Sequence, residues 1–149
     1  LIEERYSRSA NGGVGYAKTG GNYAGQFYPT QLAVKKGYNQ VIWTDDTNHE
    51  FIEEAGAMNI FIRINDTLLT GPTSDRILDG ITRKSILDIA KDQGTAAVIS
   101  PISGFGYRDT DYELPELKNS FAQSLKKTIT DIQYNKSEDK FGWRFKVEK

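Results

Sequence analysis

Residues 40–70, QVIWTDDTNHEFIEEAGAMNIFIRINDTLLT, decide the fold class. Residues 40–43 read as a strand, and Asp45-Asp46-Thr47-Asn48 is turn chemistry, because these short side chains hydrogen-bond their own backbone. A second strand is expected near residues 50–53, and the alternation over 58–64 predicts a third. Asn65-Asp66 turns that strand into residues 67–70 as a hairpin. Strands in this density, mixed with helices but without strict strand–helix alternation, predict an α+β fold and not a doubly wound parallel sheet.

Outward from this centre the period changes. On the N-terminal side Tyr23, Phe27, Leu32 and Ala33 have roughly helical spacing, ending at Gly37. Pro29 inside that run predicts a kink or two short helices. On the C-terminal side Gly71-Pro72 breaks the hairpin, and Gly80-Ile81-Thr82 opens a helix with Ile86, Leu87 and Ala90 on its apolar face. Residues 95–102 read as a buried strand. Pro115 begins the clearest helix, with Leu117, Phe121, Leu125, Ile129 and Ile132 tracing one stripe. Only Gln93-Gly94 separates the helix through Asp92 from the strand at Thr95, an abrupt join.

The 149 residues suffice for one domain with a real core. A hydrophobic share of 38% with 11% aromatics excludes a charge-extended disordered chain. Nineteen Lys and Arg against 20 Asp and Glu leave a net charge of −1, which provides no footprint for nucleic acid. No window approaches the roughly 18 apolar residues of a membrane helix. The absence of cysteine excludes a disulfide scaffold, a thiolate metal site and a cysteine nucleophile. It also agrees with the expected cytoplasmic location. Because the sequence starts at Leu1 and not Met, it is expected to be part of a longer polypeptide.

The glycines at 12, 13, 15, 20 and 21 crowd around Lys18. A phosphate-loop reading fails, because Ala17 precedes the lysine where a glycine is required. A dinucleotide fingerprint from Gly13 places Lys18 where its third glycine belongs. A lysine among residues without side chains has room to attack a carbonyl, and lysine is a Schiff-base former when its amine is partly desolvated. The alternative is a solvated loop lysine. His49, the only histidine, reads as solvent-facing, and one histidine makes Ser-His-Asp catalysis and polyhistidine metal binding poor readings. In a strand Glu53 and Glu54 point to opposite sides, so one at most faces inward, where it needs a cationic partner. Gly80-Ile81-Thr82 is either an anion site at a helix start or ordinary capping. Gly94-Thr95-Ala96 offers a second small set of donors.

In order along the chain, Gly-x-Ala-Lys-x-Gly-Gly-Asn-Tyr from Gly15 to Tyr23, Glu-x-Gly-x-Met-Asn-Ile-Phe from Glu54, Ile-Leu-x-Gly-Ile-Thr-Arg from Ile77 and Gly-Thr-Ala from Gly94 resemble the branched-chain amino acid aminotransferases. Thr-Asp-Ile-Gln-Tyr from Thr130 and Glu-Asp-Lys-Phe-Gly-Trp from Glu138 resemble that family's ending. These are pyridoxal 5'-phosphate enzymes of fold type IV. The resemblance implies an α+β large domain, with a mixed sheet or pseudo-barrel flanked by helices, over residues 1–149. Lys18 matches the lysine that carries the cofactor and moves the substrate proton. Tyr23 matches the tyrosine on the cofactor's phenolic oxygen, and Glu54 the carboxylate facing the pyridine nitrogen. Ile81 and Thr82 match the phosphate-binding helix start. Thr95 matches a further phosphate contact, and Thr95 and Ala96 match donors to the substrate carboxylate.

The implied activity is transamination of Leu, Ile and Val with 2-oxoglutarate by a homodimer, without metal. A D-amino acid transaminase, an aminodeoxychorismate lyase or a non-catalytic remnant are the alternatives. The chain departs from the family in three ways. The small N-terminal domain that the resemblance implies is expected to lie outside these residues, several dozen residues are expected to be missing near 92–95, and Leu78-Asp79-Gly80 replaces the family's usual Leu-Pro-Gly. Ala97 and Ser100 stand where some relatives carry a Cys-x-x-Cys pair.

Overall fold

The computed structural model describes residues 1–56, 58–64, 67–92, 104–114 and 121–145. After an irregular, glycine-rich start, the chain forms helix α1 (Gly21–Ala24) and helix α2 (Phe27–Lys35). The expected pair of short helices is present, but the break falls at Gly25-Gln26, upstream of Pro29. Pro29 lies in the first turn of α2, where its missing N–H would lack a helical partner in any case. Gly37, at φ +89°, ends α2. Its N–H donates to Val34 O and that of Tyr38 to Ala33 O, the paired bonds that close a helix through a left-handed glycine.

Strands β1 (Ile42–Thr44), β2 (Ile52–Ala55) and β3 (Met58–Asn59) form an antiparallel sheet in that order. Each lies one or two residues from its sequence-based position, and the third expected strand is divided. Its second half is β4 (Ile62–Ile64), which pairs with β5 (Thr67–Leu69) as the expected hairpin. The register sets Trp43 beside Glu54 and Glu54 beside Asn59. Trp43, Val41 and Ala33 are fully buried, so α2 packs against this sheet.

Helix α3 (Ile81–Asp92) and helix α4 (Phe121–Gln133) bury a second core. Ile86, Ile89, Leu125, Ile129 and Phe61 form its centre. Ile89 carries the packing expected of Leu87 and Ala90, which lie at its margin. The α4 stripe is as expected from Phe121 onward. Pro115 and Leu117 lie outside the described residues, as does the strand expected over 95–102. A hairpin of β6 (Gly104–Tyr107) and β7 (Thr110–Glu113) follows, for which the sequence gives no signal. Its turn residues Arg108 and Asp109 both have positive φ, the geometry that matches strand twist in a two-residue turn, but neither is the glycine or asparagine that usually marks it.

The α+β class holds. The described strands form three separate antiparallel sheets with one isolated parallel bridge, Ile2 to Ile42. Among the described residues no helix is long and apolar enough to cross a membrane.

The turn between β1 and β2 hangs on Asp45. Its buried carboxylate accepts the N–H groups of Asn48, Glu50 and Phe51 at 2.9, 2.6 and 2.8 Å. His49, at φ +56°, is not simply solvent-facing, because its Nδ1 lies 2.7 Å from Thr44 Oγ1. The backbone donors, Asn48 and Phe51 foremost, hold the Asp45 carboxyl well below its ordinary 3.8. A depressed folded pKa contributes stability above the unfolded value and loses it as pH falls toward the folded one. Asp45→Asn is therefore expected to lower the thermal midpoint at pH 7 and progressively less below pH 3.8. A deficit that does not change between pH 7 and pH 2 would contradict this linkage.

Candidate active site

The lysine loop is held from inside. Buried Asn22 in α1 donates through Nδ2 to Val14 O and Ala17 O, both at 2.8 Å. This bends the loop back on the helix that follows and brings Lys18 against Tyr23, with Nζ 5.5 Å from the ring centroid. Two kinds of glycine make up the loop. A Cβ on Gly15 would collide with Ser9 and with Arg76 O, so Gly15 serves the packing of the chain itself. Gly20 and Gly21 border open space. Gly12 borders open space too, but Gly20 and Gly21 are the pair nearest Lys18 in the chain, and they fit the expected role of admitting a flat ligand beside it.

Strand β2 carries the two glutamates, and alternation sends them to opposite faces. Glu54 is the inward one, 2% exposed. The cation it requires is Arg8, whose Nε lies 2.7 Å from Oε2, with both side chains at most 5% exposed. The Nε–H makes no directed hydrogen bond, so proximity of charge holds this pair. Arg8 spends its other donors on Gly15 O (3.3 and 3.2 Å) and Arg76 O (2.5 Å). Oε1 of Glu54 accepts from Leu78 N at 2.9 Å and Asn59 Nδ2 at 3.0 Å. Burial raises the Glu54 carboxyl above its ordinary value, and Arg8, Leu78 N–H and Lys18 oppose the rise.

The opposite face of β2 is covered as well. Glu53 takes the Arg76 guanidinium through Nε and a terminal nitrogen, both at 2.7 Å. Arg76 also reaches Asn11 Oδ1 and Asp46 Oδ1, at 3.3 and 3.4 Å. Asn11 N–H donates to Asp46 and Gly12 N–H to Asp75, at 2.7 and 2.5 Å. The lysine loop is therefore fastened to the β1–β2 turn and to the segment before α3.

The start of α3 exposes Ile81 and Thr82. It connects to Glu54 through Asn59 and Leu78, but Ile81 and Thr82 also border a cavity of about 250 Å³ closed by Trp143, which Lys18, Tyr23 and Glu54 do not line. Lys18 and Tyr23 thus form one pair, whose loop is tied through Arg8 to Glu54, and hydrogen bonds join Glu54 to the helix start. Thr95 and Ala96 lie outside the described residues. Sequence reading missed Arg8, Asn22, Asn59 and Arg76. Of these, only Asn22 and Asn59 left a signal, as polar residues inside quoted motifs. No group of three or more potential metal ligands occurs among the described residues.

A charge pair buried this deeply is costly to break from one side. Arg8→Met leaves the Glu54 charge buried without its counter-ion, and in the full chain it is expected to cost about 3–5 kcal/mol in urea unfolding. Adding Glu54→Leu should recover most of that loss, since apolar replacement of both partners is often neutral. Strictly additive losses would show that the two side chains are not coupled.

The amino-transferase class IV family model matches residues 2–105. The chain is 37% identical to the probable branched-chain-amino-acid aminotransferase of Staphylococcus epidermidis, covering 99% of this chain and 50% of that protein. It is 34% identical to branched-chain-amino-acid aminotransferase 2 of Bacillus subtilis, covering 98% and 48%. It spans about half the length of the curated relatives it matches. The first alignment runs over 178 positions against a chain of 149, so that relative carries additional residues inside the matched region. Among solved structures, the branched-chain amino acid aminotransferase of Escherichia coli superposes with a TM-score of 0.71 at 21% identity over 95% of this chain and 54% of that one. A T.th. branched-chain amino acid aminotransferase complexed with N-(5'-phosphopyridoxyl)-L-glutamate superposes at 0.56, with 30% identity over 64% and 32%. With a family match across most of its length, and relatives above 30% identity over nearly all of it, this chain belongs to the class IV aminotransferases.

Proposed function

We propose that the chain is the large, cofactor-binding part of a pyridoxal 5'-phosphate enzyme that transfers the amino group between branched-chain L-amino acids and 2-oxoglutarate. One observation carries this reading. An exposed amine stands beside a phenol, Lys18 against Tyr23, in a loop whose Gly15 carbonyl is held by the same Arg8 that pairs with the deeply buried Glu54 carboxylate. The relatives named as branched-chain aminotransferases and the phosphopyridoxyl-glutamate complex of one neighbour support it.

The donor set fits the cofactor. Gly20 and Gly21 leave space beside the lysine. Oε2 of Glu54 has Arg8 as its one charged partner and, as a carboxylate oxygen, retains capacity to accept from a pyridine N–H. The N-terminal turn of α3 offers N–H groups and the Thr82 hydroxyl to a phosphate. When bound, pyridoxal phosphate supplies an aldehyde carbon for amines and a ring that accepts the electron pair of the substrate's α-carbon. Glu54, whose charge Arg8 compensates, would face the pyridine nitrogen and hold its proton. The Tyr23 hydroxyl would orient the phenolic oxygen. Lys18 Nζ would hold the cofactor's aldehyde carbon and would serve as the base that moves the substrate's α-proton.

Thr95 and the backbone of Ala96 belong to the same proposal, as phosphate and substrate-carboxylate donors. So do a homodimer, a cytoplasmic location and a segment shortened near residues 92–95, which rest on the resemblance.

Borohydride reduction of the full-length protein with bound cofactor should fix the cofactor's mass on the peptide containing Lys18. Lys18→Ala should bind pyridoxal phosphate yet lose almost all transamination of L-leucine. Glu54→Gln should keep the cofactor and lower kcat by at least ~10²-fold, with a smaller change in KM. Label on another lysine, or turnover of D-alanine in preference to L-leucine, would overturn this assignment.

A further inference from the structure

The buried carboxylate and the helix start lie on different elements, and one side chain touches both. Asn59 stands opposite Glu54 in the β2–β3 register. Its Nδ2 donates to Glu54 Oε1 at 3.0 Å and to Leu78 O at 2.7 Å, which uses both amide hydrogens. Leu78 N–H returns to the same Glu54 Oε1 at 2.9 Å, closing a ring of three residues. Leu78 O also accepts from Gly80 N–H at 2.9 Å, and Gly80 O accepts from Lys84 N–H at 3.1 Å, the first bond leading into α3.

The contact continues on the other side of the amide. A Cβ on Gly80 would overlap Asn59 Oδ1. Only a residue without a side chain lets the α3 entrance sit against this amide, which is a packing reason for glycine before Ile81 and Thr82.

We propose that Asn59 is a positioning residue that sets the distance between the Glu54 carboxylate and the N-terminus of α3. It would thereby match the protein to a rigid ligand that carries a pyridine nitrogen at one end and a phosphate ester at the other. The proposal rests on the functional reading above. Its physical basis is preorganisation. A rigid ligand gains the full benefit of its second end only if the protein already holds both receptors at the right separation. Asn59 needs no contact with the ligand to do this.

The test uses the full chain and two probes, pyridoxal 5'-phosphate and pyridoxal, with dissociation constants from absorbance titration. Their ratio measures what the phosphate adds to binding. A merely structural or Glu54-directed role weakens both probes alike and leaves the ratio unchanged. If Asn59 also places α3, Asn59→Ala should lower the ratio about fivefold or more, the scale of one ordinary hydrogen bond. Gly80→Ala is a second, independent variant that retains the Asn59 side chain but displaces it from the helix start, and it should lower the ratio in the same direction. Circular dichroism confirms that each variant is folded. An unchanged ratio in both variants overturns the role of Asn59 while leaving the functional reading intact. A wild-type protein that binds both probes equally overturns the functional reading, and this proposal with it.

Discussion

A guanidinium and a carboxylate, each almost wholly withdrawn from water, meet at 2.7 Å between Arg8 and Glu54. Most of the site's order follows from the need to satisfy that pair. A buried charge must be compensated on every side, so Glu54 recruits Asn59 and Leu78 N–H, and Arg8 recruits the carbonyls of Gly15 and Arg76. The partners come from three stretches of chain, with Arg76 and Leu78 sharing one of them. Satisfying two charges therefore gathers the lysine loop, the central sheet and the entrance to α3 around one point.

The opposite face of β2 repeats the arrangement in a more polar setting. Glu53, Arg76, Asn11, Asp46 and Asp75 fasten the backbone of the same loop from outside. The loop bearing Lys18 is thus clamped on two sides although it has almost no regular structure of its own. This explains how a glycine-rich segment holds an amine in place. The conformational freedom of its glycines is removed by hydrogen bonds to side chains from elsewhere, and Asn22 completes the clamp from within.

The elements that were legible in the sequence share a local cause. The α4 stripe, the β4–β5 hairpin and the start of α3 follow from side-chain period and turn chemistry, which act within a few residues. So did the alternation that makes only one of Glu53 and Glu54 face the core. The β6–β7 hairpin went unread because Arg108 and Asp109 adopt the left-handed region without a glycine or asparagine to announce it. The third strand was read too long because nothing in its alternation marks the break at Ile60-Phe61, where Phe61 leaves the sheet for the core between α3 and α4.

For the site, the resemblance of its motifs to the family nominated Lys18, Tyr23, Glu54, Ile81 and Thr82, and residue type and alternation required that an inward carboxylate on β2 have a cationic partner. Which cation answers that requirement was decided only in three dimensions. Arg8 lies 46 residues from Glu54 in sequence, in a segment with no pattern, and it is identified by burial and distance alone. The roles of Asn59 and Gly80 were settled in the same way, by a contact between side chain and backbone across two elements. The sequence by itself determined the local conformations and the chemical types available to the site. The tertiary structure decided the pairing of its charges, because electrostatic compensation inside a protein depends on separation in space, and chain order carries no record of that separation.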